Sequence, residues 1–145
     1  MSPRVLAIGI AHAPSRSTFR VQRTQNTNTR GPKGLRAKIL AQTSEAKAAG
    51  FNLEIMQIKH SETDATLAKL REKLSKEEPD LFIVGFGIRG TVEYTELFES
   101  LVNICREASP GTRIGFNKSL DDTLTVCRRM ARLEEGAKSF PQESA

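Results

Sequence analysis

The chain has no tryptophan, one tyrosine and two cysteines among 145 residues. So few cysteines, with no metal-ligand spacing, exclude a disulfide framework and a zinc site of the usual kind. Cys105 and Cys127 fall on apolar faces of predicted helices and are expected to be buried thiols in a reducing compartment. No apolar run approaches the ~20 residues that cross a bilayer, and Val5–Ala11 is too short for a comfortable signal-peptide core. The expected location is therefore the cytoplasm. Low-complexity tracts and repeats of useful period are lacking, as are a Gly-x-Ser-x-Gly elbow and any His/Asp/Glu cluster with metal spacing. The sequence does not by itself indicate an enzyme.

The most informative absence is of acid. Residues 1–44 contain eight Lys or Arg and no Asp or Glu, so the other 14 basic residues face all 17 acidic ones, although the net charge is +5. A basic segment on a slightly acidic body points to an anionic ligand bound locally, whereas a nucleic-acid domain is more often basic along a whole face. An acid-free N-terminus rich in Arg, Ser and Thr also has the composition of a mitochondrial transit peptide, which is the alternative location. Val5–Ala11 reads instead as a buried strand.

What is present alternates regularly. Val5–Ala11 is a nearly continuous apolar run, as in a central strand covered on both faces. A first helix is expected over Leu35–Ala49, with Leu35, Ile39, Leu40, Thr43 and Ala46 inward and Gly50 as its stop. Phe51–Ile58 alternates like an edge strand. Ser61 with Asp64 resembles a capping box for a second helix carrying Leu67, Leu70 and Leu74, ended by Pro79. Leu81–Phe86 is the most hydrophobic run and a second central strand. A third helix from Thr91 or Thr95 carries Tyr94, Leu97, Phe98, Leu101, Val102 and Cys105 inward. Thr112–Asn117 is a fourth strand, and Ser119 is expected to cap a fourth helix bearing Leu120, Leu124, Cys127 and Met130 on one face.

Strands and helices alternating in this way imply a parallel sheet with right-handed crossovers. The expected fold is one α/β domain over residues 1–135, a three-layer α/β/α sandwich with strand order 2-1-3-4, Rossmann-like or flavodoxin-like, followed by a tail at 136–145. In that order the winding reverses between strands one and three, where ligands of open α/β sheets bind beyond the carboxyl ends of the strands. The loops meeting there are the long basic loop at 12–36, the turn Gly87–Gly90, and Asn117–Ser119. Two open edges make dimerisation through an edge strand or helix face a natural expectation.

Gly85, Gly87 and Gly90 form G-x-G-x-x-G after strand three, and Asn117, Lys118 and Ser119 close the next strand. The stretch Leu81–Ser119 resembles a dinucleotide-binding fingerprint, and Asn-Lys-Ser is similar to the Asn-Arg-Ser/Thr turn of some NADP-dependent dehydrogenases. The resemblance implies glycines against a pyrophosphate, with Lys118 and Ser119 on a 2′-phosphate. The competing and preferred reading is a glycine turn that lets a helix pack closely on a strand. The basic loop is similar, in position only, to the phosphate loop of flavodoxins and flavin reductases, with Ser15, Ser17 and Thr18 as its hydroxyls. NADP or a flavin is the cofactor these likenesses imply.

The leading functional expectation is a binding protein or small enzyme for an anionic, phosphorylated small molecule or nucleotide. Its expected ligand residues are Ser15, Arg16, Arg20, Lys33, Gly85, Gly87, Arg89, Gly90, Asn117, Lys118 and Ser119. Arg89 offers a planar fork to two oxygens, and Gly31–Gly34 stands just before an acid-free helix start, a favourable place for an anion. His12, at the end of a central strand and with an ordinary pKa near neutrality, is the candidate for proton transfer. His60 is read as incidental. Binding of a nucleic acid or acidic partner through the basic loop is the alternative of a different class.

Overall fold

A computed structural model of the chain describes residues 2–10 and 31–135. His12, Ser15, Arg16 and Arg20 lie outside the described residues, together with the rest of the segment 11–30 and the tail 136–145. Within them run β1 (Arg4–Ile10), α1 (Gly31–Ala48), β2 (Asn52–Ile58), α2 (Thr63–Glu77), β3 (Leu81–Val84), α3 (Thr95–Ala108), β4 (Arg113–Phe116) and α4 (Thr123–Glu135). The strands form one parallel sheet in the order β2-β1-β3-β4. Val5 stands opposite both Leu53 and Leu81, and Val84 opposite Phe116.

Alternation along each strand divides the apolar residues between two faces. Leu6, Ile8, Ile58, Phe82 and Val84 pack beneath Leu70 and Leu74 of α2 and Leu101, Ile104 and Cys105 of α3. Val5, Ala7, Leu53, Leu81 and Ile83 pack against Ala46 of α1 and Val126 and Cys127 of α4. This is the expected three-layer sandwich. Each fully buried Leu or Ile contributes roughly 1.5–3 kcal/mol over leaving it exposed. The amino ends are latched by polar groups: Arg4 N–H donates to Asp80 Oδ2 (2.8 Å) and Thr112 Oγ1 to the Pro79 carbonyl (2.6 Å). The carboxyl ends of the strands are thus left to the loops.

Local expectations fail in three places. α1 begins at Gly31, so Gly31–Gly34 is its first turn and not a preceding loop. Pro32 fits there, because its fixed φ suits a helix start and its missing N–H has no partner to lose. The helix is also rotated from the expected phase, since Leu40 is 62% exposed while Gln42 is 5% exposed. Finally, neither Ser61 nor Ser119 caps a helix. Short 3-10 turns at His60–Glu62 and Leu120–Asp122 intervene, and Ser119 makes no side-chain cap bond. Asp122 reaches back to the Lys118 N–H instead (3.0 Å), one residue earlier than a capping box requires.

Candidate functional site

The carboxyl end of β3 is held to its neighbours on both sides. Gly85 N–H donates to the Ile8 carbonyl of β1 (2.9 Å). Past it, Phe86–Arg89 forms a single helical turn, where the sequence reading puts Phe86 in the strand and Gly87–Gly90 in a loop. Asn117, just beyond β4 and 4% exposed, fastens this turn. Its Oδ1 accepts the Phe86 N–H (3.1 Å) and its Nδ2 donates to Thr123 Oγ1 (3.1 Å). The Thr123 hydroxyl in turn donates to the Leu120 carbonyl (2.7 Å). One buried amide therefore joins the β3 turn, the end of β4 and the start of α4.

The same residue fixes Arg89. Arg89 Nη2 donates to the Asn117 carbonyl (3.0 Å), and the guanidinium lies 5.0 Å from the Phe86 ring centroid and 5.5 Å from that of Phe116. Phe116 is itself braced edge-to-face by Phe98 at 5.9 Å. Contact with ring faces and a carbonyl leaves an exposed cation with a defined direction and N–H donors to spare. Preorganisation of this kind lowers the ordering entropy that an exposed arginine loses on binding.

The three motif glycines each have a steric reason. A Cβ on Gly85 would stand 3.2 Å from the Ile8 carbonyl oxygen, one on Gly87 3.3 Å from Ile10 Cγ2, and one on Gly90 2.6 Å from Phe86 Cζ. The N–H groups of Gly85, Phe86, Ile88, Arg89 and Gly90 donate inside the protein, to Ile8, Asn117, Gly85 and Phe86. A pyrophosphate would not find those amides free. Around the turn, Glu93 precedes α3 and Glu96 lies in its first turn, and Asp121 and Asp122 precede α4. The first turn of α1, which contains Lys33, holds no acid. Lys38 of α1 pairs with Asp121 at 3.6 Å.

The structure thus brings Gly85, Gly87, Arg89, Gly90, Asn117, Lys118 and Ser119 to one end of the sheet, with Lys118 and Ser119 exposed. Phe86, Phe116 and Thr123 were not expected to shape this place. The adjacency of Phe86 to the motif glycines and of Phe116 to Asn117 is the only sequence signal for the first two. Two shallow depressions, about 260 and 380 Å³, lie elsewhere. Much of their charge is already paired: Lys73 contacts Glu54 and Glu77 at 2.9 Å, and Lys76 contacts Glu72 at 3.3 Å. Among the described residues no group of His, Cys, Asp or Glu could hold a metal ion, and no helix is long and apolar enough to cross a membrane. Compared with known proteins, the chain matches no family model, no curated protein and no solved structure, so the site must be read from its own geometry.

Proposed function

We propose that the protein binds an anionic, phosphorylated small molecule at the carboxyl ends of β1 and β3. The observation that carries this reading is Arg89, an exposed guanidinium held in position by the Asn117 carbonyl and two aromatic rings at the reversal of winding. The segment 11–30 leaves β1 at Ile10 and rejoins the chain at Gly31. Its Arg16, Arg20, Arg23 and Arg30, unaccompanied by acid, supply further positive charge to a ligand there. Lys33 and Lys118 belong to the same proposal. A nucleotide cofactor would be held by these cations and not by the glycine amides. Should the site turn over a substrate, His12 is the proposed proton-transfer group.

Calorimetric titration with inorganic phosphate and phosphate monoesters tests this directly. Arg16→Gln, Arg89→Gln and Lys118→Gln should each weaken binding, by roughly 1.5–3 kcal/mol wherever a charged hydrogen bond is lost. Arg89→Lys should recover only part of the loss at that position, since an ammonium lacks the fork. Unchanged affinity in all three charge-removing variants refutes the assignment. One observation favours a second reading: Phe86 (47% exposed) and Phe116 flank Arg89 as stacking surfaces for single-stranded nucleic acid. That reading requires affinity to fall steeply with salt and to tolerate shuffling of residues 12–30.

A further inference from the structure

Two large apolar side chains at the carboxyl end of the sheet stay at the surface, and both touch Arg89. Phe86 is 47% exposed and Phe116 36% exposed, with ring centroids 5.0 and 5.5 Å from the Arg89 guanidinium carbon. A surface phenylalanine standing alone is ordinary. These two, however, are held in place. The Phe86 ring lies where a Cβ on residue 90 would stand 2.6 Å from its Cζ and 2.7 Å from its Cε2, so any side chain there but glycine displaces the ring. Phe116 is braced edge-to-face by Phe98, which packs against the α2/α3 core. Both rings thus keep fixed places at the surface, around one cation.

The neutral polar side chains around the turn are committed to the protein itself. Thr91 Oγ1 donates to the Gly87 carbonyl and Thr95 Oγ1 to the Val92 carbonyl, both at 2.7 Å. The Asn117 amide is used at both ends, by the Phe86 N–H and by Thr123 Oγ1. What the turn offers a ligand is therefore a guanidinium with N–H donors to spare and two apolar rings beside it. That combination suits an anion with a flat apolar body. Aromatic pairs settle with centroids about 4.5–7 Å apart, and a ring bonded to the phosphate oxygen stays beside the guanidinium that these rings flank. A polyol would meet ring carbons where its hydroxyls need partners. Because both rings flank the same guanidinium they serve one anion, whereas a nucleic-acid strand spreads its bases along several phosphates.

We propose that this site selects aryl phosphates, in which the ester oxygen is bonded directly to an aromatic ring. Arg89 answers the phosphate, and Phe86 and Phe116 are the specificity-determining surfaces that take the ring. The inference rests on the anion reading above and narrows it to one class of ligand.

Inorganic phosphate, glycerol 1-phosphate and phenyl phosphate, titrated calorimetrically into wild-type, Phe86→Leu, Phe116→Leu and Phe86→Tyr proteins, test this. Melting of the unliganded proteins is followed in parallel to identify the variants that fold, and either leucine variant suffices. Wild-type protein should bind phenyl phosphate about three- to tenfold more tightly than glycerol 1-phosphate. The readout is that ratio, because both rings also contact Arg89 and the loss of either weakens the binding of every anion alike. At least one leucine variant should cut the ratio to about half or less, since an aliphatic side chain cannot stack, and Phe86→Tyr should keep it. Phenyl phosphate that binds wild-type protein no better than glycerol 1-phosphate overturns the inference while leaving the anion site standing. A ratio undiminished in both leucine variants does the same. Failure of all three compounds to bind wild-type protein overturns both readings.

Discussion

Replacing Asn117 by Leu removes the amide that joins three elements while nearly conserving volume, so the loss should be polar and not a cavity effect. The Phe86 N–H, at the start of its helical turn, loses its acceptor, which costs about 1–2 kcal/mol for a partly buried group. Thr123 Oγ1, fully buried, loses the Nδ2 donor but keeps its own bond to the Leu120 carbonyl, so that end costs only about 0.5–1 kcal/mol. The sum of roughly 1.5–3 kcal/mol is a large share of a domain stability of about 5–15 kcal/mol. In urea denaturation the midpoint should fall by about 1 M with unchanged slope. A double-mutant cycle with Thr123→Val should return a coupling of about 0.5–1 kcal/mol for the side-chain pair. Amide exchange should quicken over Gly85–Gly90 before it does in β1. A midpoint within about 0.2 M of wild type would refute the claim that this amide fastens the turn.

Two further outcomes test the fold. Burial pushes the thiols of Cys105 and Cys127 up to about 11, so the unfolded chain releases these protons at lower pH than the folded one. Their contribution to stability is complete below the ordinary thiol pKa and is lost as pH rises through about 11; urea midpoints should fall over that interval, and a Cys105→Ser/Cys127→Ser protein, though less stable throughout, should show a shallower fall. Glu78 closes α2 at φ 43, in the left-handed region where glycine is favoured, with its N–H donating to the Leu74 carbonyl (2.9 Å). Glu78→Gly should therefore raise stability by about 0.5–1 kcal/mol in a thermal melt, and a decrease would show that the side chain compensates for its backbone.

The sheet was legible because its signals are contiguous. Val5–Ala11 and Leu81–Phe86 read as two-sided strands without reference to anything distant, and the order 2-1-3-4 follows from two central and two edge patterns. The site was less legible. Arg89 and Asn117 were both singled out, but that one holds the other depends on a contact across 28 residues of sequence. Periodicity carries no information about such a pair. The turn Phe86–Arg89 is too short to have a period, and its glycines suit a loop as well as a helical turn. Gln42 was invisible for another reason. A glutamine among Ala, Thr and Lys resembles a surface residue, and its burial follows from the rotation of α1 over the sheet, which also exposes Leu40.

The parallel order of the sheet has a consequence in time. β1 is made first yet needs two neighbours, and they emerge far apart: Val5 meets Leu53 on one side but Leu81 on the other. At a synthesis rate of about 5–20 residues per second, the second partner follows Val5 by roughly 4–15 s. In that interval the backbone edge that will join β3 is open, along the run Val5–Ile8 whose side chains end up buried. A nascent chain stalled before Leu81 therefore exposes a sticky strand edge that the finished protein hides at its centre, which makes the early ribosome-bound fragment the aggregation-prone form of this chain.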